Sequence, residues 1–337
     1  MSSLIQKIAD ELNVSNASVS RALNDRPGVG DDLRARIIER AKELDYLPNF
    51  AARALATSQT FSIGFFVAEK PGLSTHTDPF YGEILHGVEQ ASSVSDYHIT
   101  IATLNREILE APKEFRFTRE KRIDAMILAG PDIPASFILA MQHTGLPVVL
   151  VDNRLEYSGI NCVNSDDEHG AFIAAQNLLA LGHRSIGIIA GPESWPSNGR
   201  RVAGYRRALS LVEITPTIAH VETTTIESGT LAYTQLVQQN PQLTAICAVN
   251  DSMAIGAIRA AAAQGRHVPD DLSIIGFDDI AWAKLNDPPL TTVRISKPQM
   301  GREAFQRVRV LIDDPDVQPV EITVGVELIE RGSTKQI

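Results

Sequence analysis

The sequence has few features of an exported or membrane-bound protein. None of its apolar runs approaches the roughly 18 residues that a membrane-spanning helix needs. Its first segment, MSSLIQKIADELNVS, is amphipathic and acidic, so it lacks the basic start and apolar centre of a secretion signal. We therefore expect a cytoplasmic protein with no membrane partner. Only two cysteines are present, and both Cys162 and Cys247 lie in apolar runs, which favours buried free thiols over the alternative of a disulfide.

The chain also lacks the motifs of nucleotide-dependent and hydrolytic enzymes. It contains no G-x-G-x-x-G after a predicted strand, no P-loop, no H-E-x-x-H and no G-x-S-x-G. The eight histidines are dispersed without metal-ligand spacing. We therefore expect no enzymatic activity, no cofactor and no bound metal. The segment ELIERGSTKQI adds no leucine heptad, so we do not expect a tetramer built by a C-terminal coiled coil.

The charge is unevenly distributed along the 337 residues, a length that suits two or three domains. The net charge of −10 at pH 7 argues at first against a nucleic-acid partner. Residues 1–60 hold eight basic and eight acidic residues, so the remainder carries the whole negative charge. A neutral, arginine-bearing head is compatible with docking on a polyanion while the acidic body stays away from it.

Residues 1–46 have the pattern of three short helices. The apolar residues of LIQKIADEL fall on one face, and Ser15 is placed to cap a second helix that runs to about Leu23. A turn-rich loop, NDRPGVG, separates it from a third amphipathic helix in DDLRARIIERAKELDYL. Two helices joined by a tight turn, with a third completing the core, predict a helix-turn-helix domain. The residues expected to face its core are Leu4, Ile5, Ile8, Leu12, Val19, Ala22, Leu23, Leu33, Ile37, Ile38, Ala41 and Leu44.

The second of these helices carries short polar side chains where a surface helix usually carries Glu and Lys. One interpretation is a recognition helix, which must be slim to enter the major groove and bring its first turns to the base edges. Asn16 then suits adenine, Ala17 a thymine methyl group and Arg21 the edge of guanine. Ser18 and Ser20 suit phosphates or bases. The alternative is an ordinary surface helix with a capping serine.

Residues 47–60 have the pattern of a linker. Pro48 blocks continuation of the third helix, and Asn49 can cap the alanine-rich segment FAARALA. This segment is too short to be a stable helix alone. We expect it to fold only when something holds it.

From residue 61 onwards, apolar strands alternate with amphipathic helices. The predicted strands are SIGFFVA, HITIATL, AMILAG, PVVLV, SIGIIAG, TIAHVE, AICAVN and LSIIGFDD. This alternation predicts parallel sheets covered on both faces. The series restarts after about Asn164, which indicates two similar halves. We expect a domain over 61–337 with lobe 1 in about 61–163 and 293–320, and lobe 2 in about 164–292 and 321–337.

Polar residues collect where the predicted strands end. Ligands of doubly wound sheets bind beyond the carboxyl ends of the strands. Asp152, Asn250 and Asp278 follow strands directly, and Asp78 and Phe80 follow the first strand. Carboxylates and amides bond neighbouring hydroxyls, and an aromatic face covers the apolar face of a sugar ring. This mixture predicts a sugar-type effector.

Arg200 and Arg201 open a predicted helix, and an arginine can donate two or more hydrogen bonds to a sugar from its planar fork. The alternative for Arg200 is a surface charge. Several further residues have two interpretations each. Trp195 is either a lid over the ligand or part of a surface patch. Asp166 either lines the site or caps the following helix. Asp251 and Asp279 are interpreted as helix caps or turn formers.

The motifs, taken in order, resemble the LacI/GalR family of bacterial transcription regulators. They are IADELNVSNASVSRALN, DYLPN with AARALAT, DPFYGEILHGVEQA, LLALGHRSIGIIAGP, RRVAGYRRAL, AICAVNDSMAIGAIRAA, DLSIIGFDDI and PPLTTVRISKPQMG, and the match runs from Leu4 to about Gly332. The resemblance implies an N-terminal all-α helix-turn-helix head and an α/β two-lobed effector domain with two doubly wound parallel sheets, like periplasmic binding proteins. It also implies a homodimeric repressor of carbohydrate-utilisation genes, with a near-palindromic double-stranded DNA operator and a sugar effector bound between the lobes.

The resemblance also implies particular DNA contacts. In this family the linker forms a hinge helix that pairs with its dimer mate in the minor groove, where Leu55 would wedge between base steps. Ala52 would allow the two hinge helices to pack closely, and Arg53 would meet phosphate. The implied DNA-contacting residues are Ser15, Asn16, Ala17, Ser18, Ser20, Arg21, Asn24, Asn49, Ala52, Arg53 and Leu55.

In the effector domain, Arg201 and Asp278 match effector-contacting positions of the family, and Asn250 matches the Asn that ends one of its strands. Asp78, Phe80, Asp152 and Asp166 match cleft-lining positions, and Trp195 is a further candidate from its aromatic side chain alone. Many members carry a ligand-stacking aromatic residue after the TIAHVE strand, but this chain has TTTIESG, so Thr224 or Thr225 takes that place. This departure favours a larger or more polar effector, such as a disaccharide, a glycoside or a polyol. The alternatives are a purine or sugar-phosphate effector, or a two-lobed binding protein without a regulatory function.

Overall fold

A computed structural model describes residues 4–23, 27–45, 59–70, 74–156 and 159–337. The chain divides into two compact units, residues 1–61 and residues 62–337. Within the described ranges, no helix is both long enough and apolar enough to cross a lipid bilayer.

In its described residues, the first unit contains three helices, α1 (Leu4–Leu12), α2 (Asn16–Leu23) and α3 (Asp31–Glu43). The hydroxyl of Ser15 caps α2, because its Oγ accepts a hydrogen bond from the backbone nitrogen of Ser18 at 3.0 Å. The helix-turn-helix prediction is confirmed. The buried core residues come from all three helices and are Ile8, Ala9, Val19, Ala22, Ile37 and Ala41.

Two residues that were expected in this core face solvent instead. Ile38 is 37% exposed because it follows Ile37, and neighbouring positions of a helix point about 100° apart. Leu4 is 43% exposed at the first position of α1, beyond the turn that packs on the other helices.

The second unit contains two six-stranded sheets. Continuous apolar sequences form the central strands β1, β3, β4, β6, β8 and β9, which are buried on both faces. The strands are β1 (Ser62–Ala68), β2 (His98–Leu104), β3 (Ala125–Ala129), β4 (Val148–Val151), β5 (Asn161–Ser165), β6 (Ile186–Ala190), β7 (Thr217–His220), β8 (Ala245–Ala248), β9 (Ser273–Asp278), β10 (Thr291–Ile295), β11 (Glu321–Val324) and β12 (Val326–Ile329).

The order of the first sheet is β11-β5-β4-β3-β1-β2, and the order of the second is β12-β10-β9-β8-β6-β7. All pairs are parallel except β10 with β12, which is an antiparallel edge. The helices are α4 (Tyr81–Ser92), α5 (Arg106–Glu110), α6 (Arg116–Arg119), α7 (Ala135–Gln142), α8 (Asp167–Ala180), α9 (Pro196–Ser210), α10 (Ile226–Gln239), α11 (Asp251–Ala263), α12 (Ala281–Leu285) and α13 (Lys297–Asp313).

The strand pairing shows that two of the expected lobe boundaries were wrong, both at points where the chain passes between the lobes near its C-terminal end. β10 pairs with β9, so the chain stays in lobe 2 until Ile295 and not only until residue 292. β11 pairs with β5, so residues 321–324 belong to lobe 1, although they were expected in lobe 2. Helix α13 packs on α4 and on the first sheet, and it therefore belongs to lobe 1. Both cysteines are buried free thiols, as expected, and the alternative of a disulfide is excluded.

Candidate functional site

The described part of the proposed recognition helix presents a polar face opposite its buried side. Asn16, Ala17, Ser20 and Arg21 are exposed, whereas Val19 is fully buried. The side-chain nitrogen of Asn16 donates to Gln6 Oε1 in α1 at 2.6 Å, while the hydroxyls of Ser15 and Ser18 lie 2.9 Å apart. The predicted contacts of Asn24, Asn49, Ala52, Arg53 and Leu55 fall on residues outside the described ranges.

In the second unit, a cavity lies where the carboxyl ends of strands from both sheets meet. Six of the eight predicted effector residues line it, namely Phe80, Asp152, Trp195, Arg201, Asn250 and Asp278. Asp78 lines an adjoining cavity, and Asp166 lines neither of the two. These six side chains therefore lie together beyond the carboxyl ends of the parallel strands, where ligand sites of such sheets form.

Arg201 is the centre of this cavity. It is only 6% exposed and comes from the second turn of α9. Its Nε donates to Asp167 Oδ1 at 2.8 Å, and its Nη1 donates to Asp278 Oδ1 at 3.0 Å and to the carbonyl oxygen of Val249 at 2.6 Å. Its guanidinium stacks over the ring of Phe277, 4.0 Å from the centroid. The fork of Arg201 is thus fixed in place by hydrogen bonds and by stacking.

The carboxylates around Arg201 are held in an environment that disfavours their charge. Burial raises the pKa of Asp278 to about 6 and that of Asp152 to about 7, although Arg201 opposes both shifts. Burial also raises the pKa of Asp167, again against the effect of Arg201. Burial alone would lower the pKa of Arg201, but the charges of Asp278, Asp167 and Asp152 raise it above its ordinary value. The arginine is therefore permanently charged, whereas the carboxylates titrate closer to neutral pH.

Asp152 reaches the cavity from a left-handed backbone position at the end of β4, with φ of 51°. Its Oδ2 accepts a hydrogen bond from the hydroxyl of Tyr81 at 2.8 Å. Tyr81 is 4% exposed, and the ammonium group of Lys70 lies 4.4 Å from the centre of its ring. Burial and the charge of Asp152 raise the pKa of Tyr81 well above its ordinary value. Tyr81 therefore remains a hydrogen-bond donor to Asp152.

Two predicted effector residues have local structural partners. Asp78 Oδ1 accepts hydrogen bonds from the backbone nitrogens of Phe80 and Tyr81 at the start of α4, and its Oδ2 pairs with Lys70 at 3.0 Å. Asp166 caps α8, because its side chain accepts from the backbone nitrogen of His169 at 3.3 Å. Capping, which was one of the two interpretations of Asp166, accounts for its position, and effector contact by either residue stays a prediction.

Asn250 joins two elements of lobe 2. Its Oδ1 caps α11 by accepting from the nitrogen of Met253 at 2.9 Å, and its Nδ2 donates to the carbonyl oxygen of Thr224 at 3.1 Å. Trp195 is half-buried beside the cavity at the start of α9, a position that suits the lid interpretation.

Sequence reasoning missed several residues at this site, among them Asp167, Tyr81 and Lys70. Asp167 stands next to Asp166, and two adjacent acids before a helix do not reveal which one turns inward. Tyr81 could have been predicted, because it directly follows the predicted effector residue Phe80 in the segment after the first strand. Lys70 follows β1 by two residues, but its interaction with the ring of Tyr81 depends on tertiary structure.

Asp251 and Asp279 have larger roles than helix caps or simple turns. Asp251 is fully buried and accepts from Thr292 Oγ1 at 2.5 Å and from the backbone nitrogen of Ile280 at 2.9 Å. Asp279 pairs with Arg294 at 2.7 Å and also with Arg331. Together these bonds anchor the turn that follows Asp278.

Across the described ranges, no three His, Cys, Asp or Glu side chains are grouped so that they could hold a metal ion.

Comparison with known proteins agrees with this arrangement along nearly the whole chain. Residues 4–49 match the family model of bacterial regulatory proteins, lacI family, and residues 175–334 match that of the periplasmic binding protein-like domain. The Probable HTH-type transcriptional repressor ExuR of Bacillus subtilis (strain 168) is 32% identical, over 99% of this chain and 98% of its own.

Two solved structures extend the similarity to three dimensions. The lac repressor dimer bound to operator and the anti-inducer ONPF matches with a TM-score of 0.79 and 26% identity, over 97% of this chain and 98% of that chain. The complex of the transcriptional regulator CelR with cellobiose matches with a TM-score of 0.75 and 28% identity, over 98% and 99%.

A helix-turn-helix unit and a two-lobed α/β unit with a polar cavity at its strand ends define a ligand-responsive transcription regulator. The chain belongs to the LacI family of bacterial regulatory proteins, and it is a transcriptional repressor. The family and fold that the sequence motifs implied are thereby confirmed.

Proposed function

We propose that the protein is a homodimeric repressor that binds a near-palindromic operator and responds to a neutral sugar-type effector, such as a disaccharide or another glycoside. The observation that carries the effector class is the arrangement of Arg201 between buried carboxylates at the strand ends. Hydroxyl groups both donate and accept hydrogen bonds, so a sugar can satisfy the arginine fork and the carboxylates together.

The charge of the site supports a neutral ligand over a sugar phosphate or a nucleotide. Two cations, Lys70 and Arg201, stand among the carboxylates of Asp78, Asp152, Asp167 and Asp278. Lys70 and Arg201 already form ion pairs with these carboxylates. A bound phosphate would therefore be repelled by the carboxylates, and neither cation would be free to neutralise it. A buried polar lining also disfavours ligands without matching hydroxyls, because its groups would be left without partners.

The DNA-binding part of the proposal rests on the slim exposed face of α2 and on the solved relative bound to operator as a dimer. Two such helices in a dimer would read the two half-sites of one operator, and the segment 47–60 would contact its centre. Effector binding would change the relative rotation of the lobes. Such coupling is typically worth about 1–3 kcal/mol per site, and it requires different affinities of the effector for the two states.

A thermal-shift screen tests the effector class. The panel contains glucose, galactose, cellobiose, maltose, lactose, mannitol, glucose 6-phosphate and adenosine, each measured with the wild type, R201A and R207A. A ligand that binds only the folded state raises the melting temperature. We expect a sugar to raise the melting temperature of the wild type and of R207A, whose guanidinium lies on the surface of the same helix, but not that of R201A.

A shift from adenosine or glucose 6-phosphate alone would overturn the sugar assignment while leaving the repressor role intact.

The DNA-binding role has its own test, in which the protein without residues 1–60 is compared with the full chain on operator DNA. Operator binding that survives this deletion would contradict the assignment of the head.

A further inference from the structure

A second, larger cavity adjoins the central one in the same unit, since the two share five lining residues. The central one has a volume of about 70 Å³ and the outer one about 370 Å³. Lys70, Phe80, Thr224, Asn250 and Asp278 line both of them. Because ligand pockets of small molecules usually measure roughly 300–1,000 Å³, the central cavity alone is small for a ligand site, whereas the two together reach that range.

Thr224 stands at the junction of the two cavities, and its loop is fixed on both sides. Its carbonyl oxygen accepts a hydrogen bond from Asn250 Nδ2 at 3.1 Å. The next hydroxyl, that of Thr225, caps α10 by accepting from the backbone nitrogen of Ser228 at 3.2 Å. The two threonines therefore differ: Thr225 caps the helix and lines only the outer cavity, whereas Thr224 lines both cavities with a short side chain.

The outer cavity has the mixed lining that sugar rings require. Apolar groups come from Pro79, Phe80, Ile226, Ile280 and Trp282, and polar groups come from Thr225, Glu227 and Ser252. Trp282 is 39% exposed, so much of its indole remains uncovered at the outer end. An aromatic face with a few polar groups beside it binds the apolar C–H face of a ring and its hydroxyls at the same time.

We propose that the outer cavity is a second subsite, which holds the second ring of a neutral disaccharide or glycoside whose first ring contacts Arg201 and Asp278. Thr224 sets the length of ligand that the site accepts, because a large side chain at this position would close the passage between the cavities. The inference rests on the proposed function, since it assumes that the effector is a sugar bound in this cleft.

The chain's two tryptophans allow the two cavities to be observed separately. Trp195 lines the central cavity and Trp282 the outer one. W195F leaves Trp282 as the only tryptophan, and W282F leaves Trp195. Each variant is titrated with glucose and galactose and then with cellobiose, maltose and lactose, and tryptophan emission is recorded. We expect monosaccharides to change the emission of Trp195 only, and a bound disaccharide to change the emission of both.

A disaccharide that binds with a change in Trp195 but none in Trp282 would overturn the inference, as would binding of monosaccharides alone. Both results would leave the sugar assignment intact. If no sugar of the panel binds the wild type, the proposed function fails as well, so the two failures are distinguishable.

A pair of substitutions at Thr224 tests the passage itself by calorimetry. T224W should weaken disaccharide binding by about tenfold or more, which is about 1.4 kcal/mol, because its indole would fill the passage to the outer cavity, and should leave monosaccharide binding equal or tighter. T224S keeps the passage open and should bind both ligands like the wild type. Equal weakening of both ligands in T224W, with an unchanged melting temperature, would contradict the role of Thr224 as the residue that sets ligand length.

Discussion

The ammonium group of Lys297 lies 2.7 Å from the carbonyl oxygen of Asp278, and the two residues belong to different lobes. The same nitrogen lies 3.1 Å from the carbonyl oxygen of Asp279. Asp278 and Asp279 have φ values of 109° and 50°, in the region that L-residues rarely adopt, so this turn needs support from its surroundings. Lys297 is 1% exposed and opens α13 in lobe 1, and it therefore connects that lobe to the backbone of Asp278 in lobe 2, whose carboxylate lines the cavity.

K297M is expected to weaken effector binding, because the strained turn that aims Asp278 at Arg201 would lose its support. Two buried carbonyl oxygens would lose a donor, which costs about 1–3 kcal/mol of unfolding free energy. Urea denaturation measures the stability, and calorimetry with the sugar found in the screen measures the affinity. E83Q is the control, since Glu83 lies 3.6 Å from Lys297 but does not bond the turn. An unchanged affinity in K297M would contradict the positioning role.

R201A is expected to destabilise the folded protein even without effector. It would leave the buried carboxylates of Asp167 and Asp278 without their cation, and breaking a buried ion pair by removing one partner typically costs about 3–5 kcal/mol. R207A removes an exposed pair with Glu168 from the same helix and should cost about 0–1 kcal/mol. Urea denaturation of the two variants gives the comparison, and equal losses would contradict the account of Arg201 as a buried centre of charge.

The raised pKa of Asp152 predicts a pH-dependent stability. Its pKa is about 7 in the folded protein against an ordinary value of 3.8. Between about pH 4 and pH 7 the folded state therefore holds more protons than the unfolded chain, so the contribution of this group to stability is lost as the pH rises through about 7. D152N removes the titration but keeps an acceptor for Tyr81. We expect its melting temperature, relative to wild type, to be higher at pH 8 than at pH 5, and a constant difference would contradict this.

The sequence predicted the central strands well because a strand that is buried on both faces must be apolar throughout. It did not predict β5, β10, β11 and β12, which are short, partly polar or at an edge of their sheet. β11 and β12 are separated only by Gly325 yet belong to different sheets, and no local pattern specifies which sheet a strand joins. The expected lobe boundaries were therefore wrong at the last two points where the chain passes between the lobes.

The candidate site was predictable in part for a related reason. The rule for strand ends located Asp152, Asn250 and Asp278, since it depends only on where apolar runs stop. It could not separate a cavity-lining carboxylate from a capping one, because Asp at the start of a helix suits both. Asp166 and Asp167 illustrate the limit, since the first caps α8 and the second binds Arg201.

Two glycines of α9 should respond oppositely to the same substitution. A Cβ at Gly204 would lie 2.2 Å from the carbonyl oxygen of Glu168 in α8, so G204A must push these packed helices apart. A Cβ at Gly199 would meet no atom within 4 Å. G204A is expected to lower the unfolding free energy by about 1–3 kcal/mol through overpacking, and G199A to raise it by roughly 0.5–1 kcal/mol. Denaturation midpoints of the two variants measure the difference, and similar effects at both positions would contradict the close helix contact.

The exposed face of α2 predicts which changes alter DNA sequence preference and which alter affinity alone. Asn16 and Ala17 are exposed, and we propose that they read base edges. Swapping the two residues should therefore change the preferred operator, with each good base contact worth about 1–3 kcal/mol of discrimination. Q6A removes the acceptor that lies 2.6 Å from the Asn16 amide but keeps Asn16 itself, so it should lower affinity with less change in preference. Selection from a randomised operator library, followed by titration of the selected sites, measures both quantities. If the exchange of Asn16 and Ala17 weakened binding uniformly on all sites, these residues would contact the backbone and the assignment of base reading to them would be wrong.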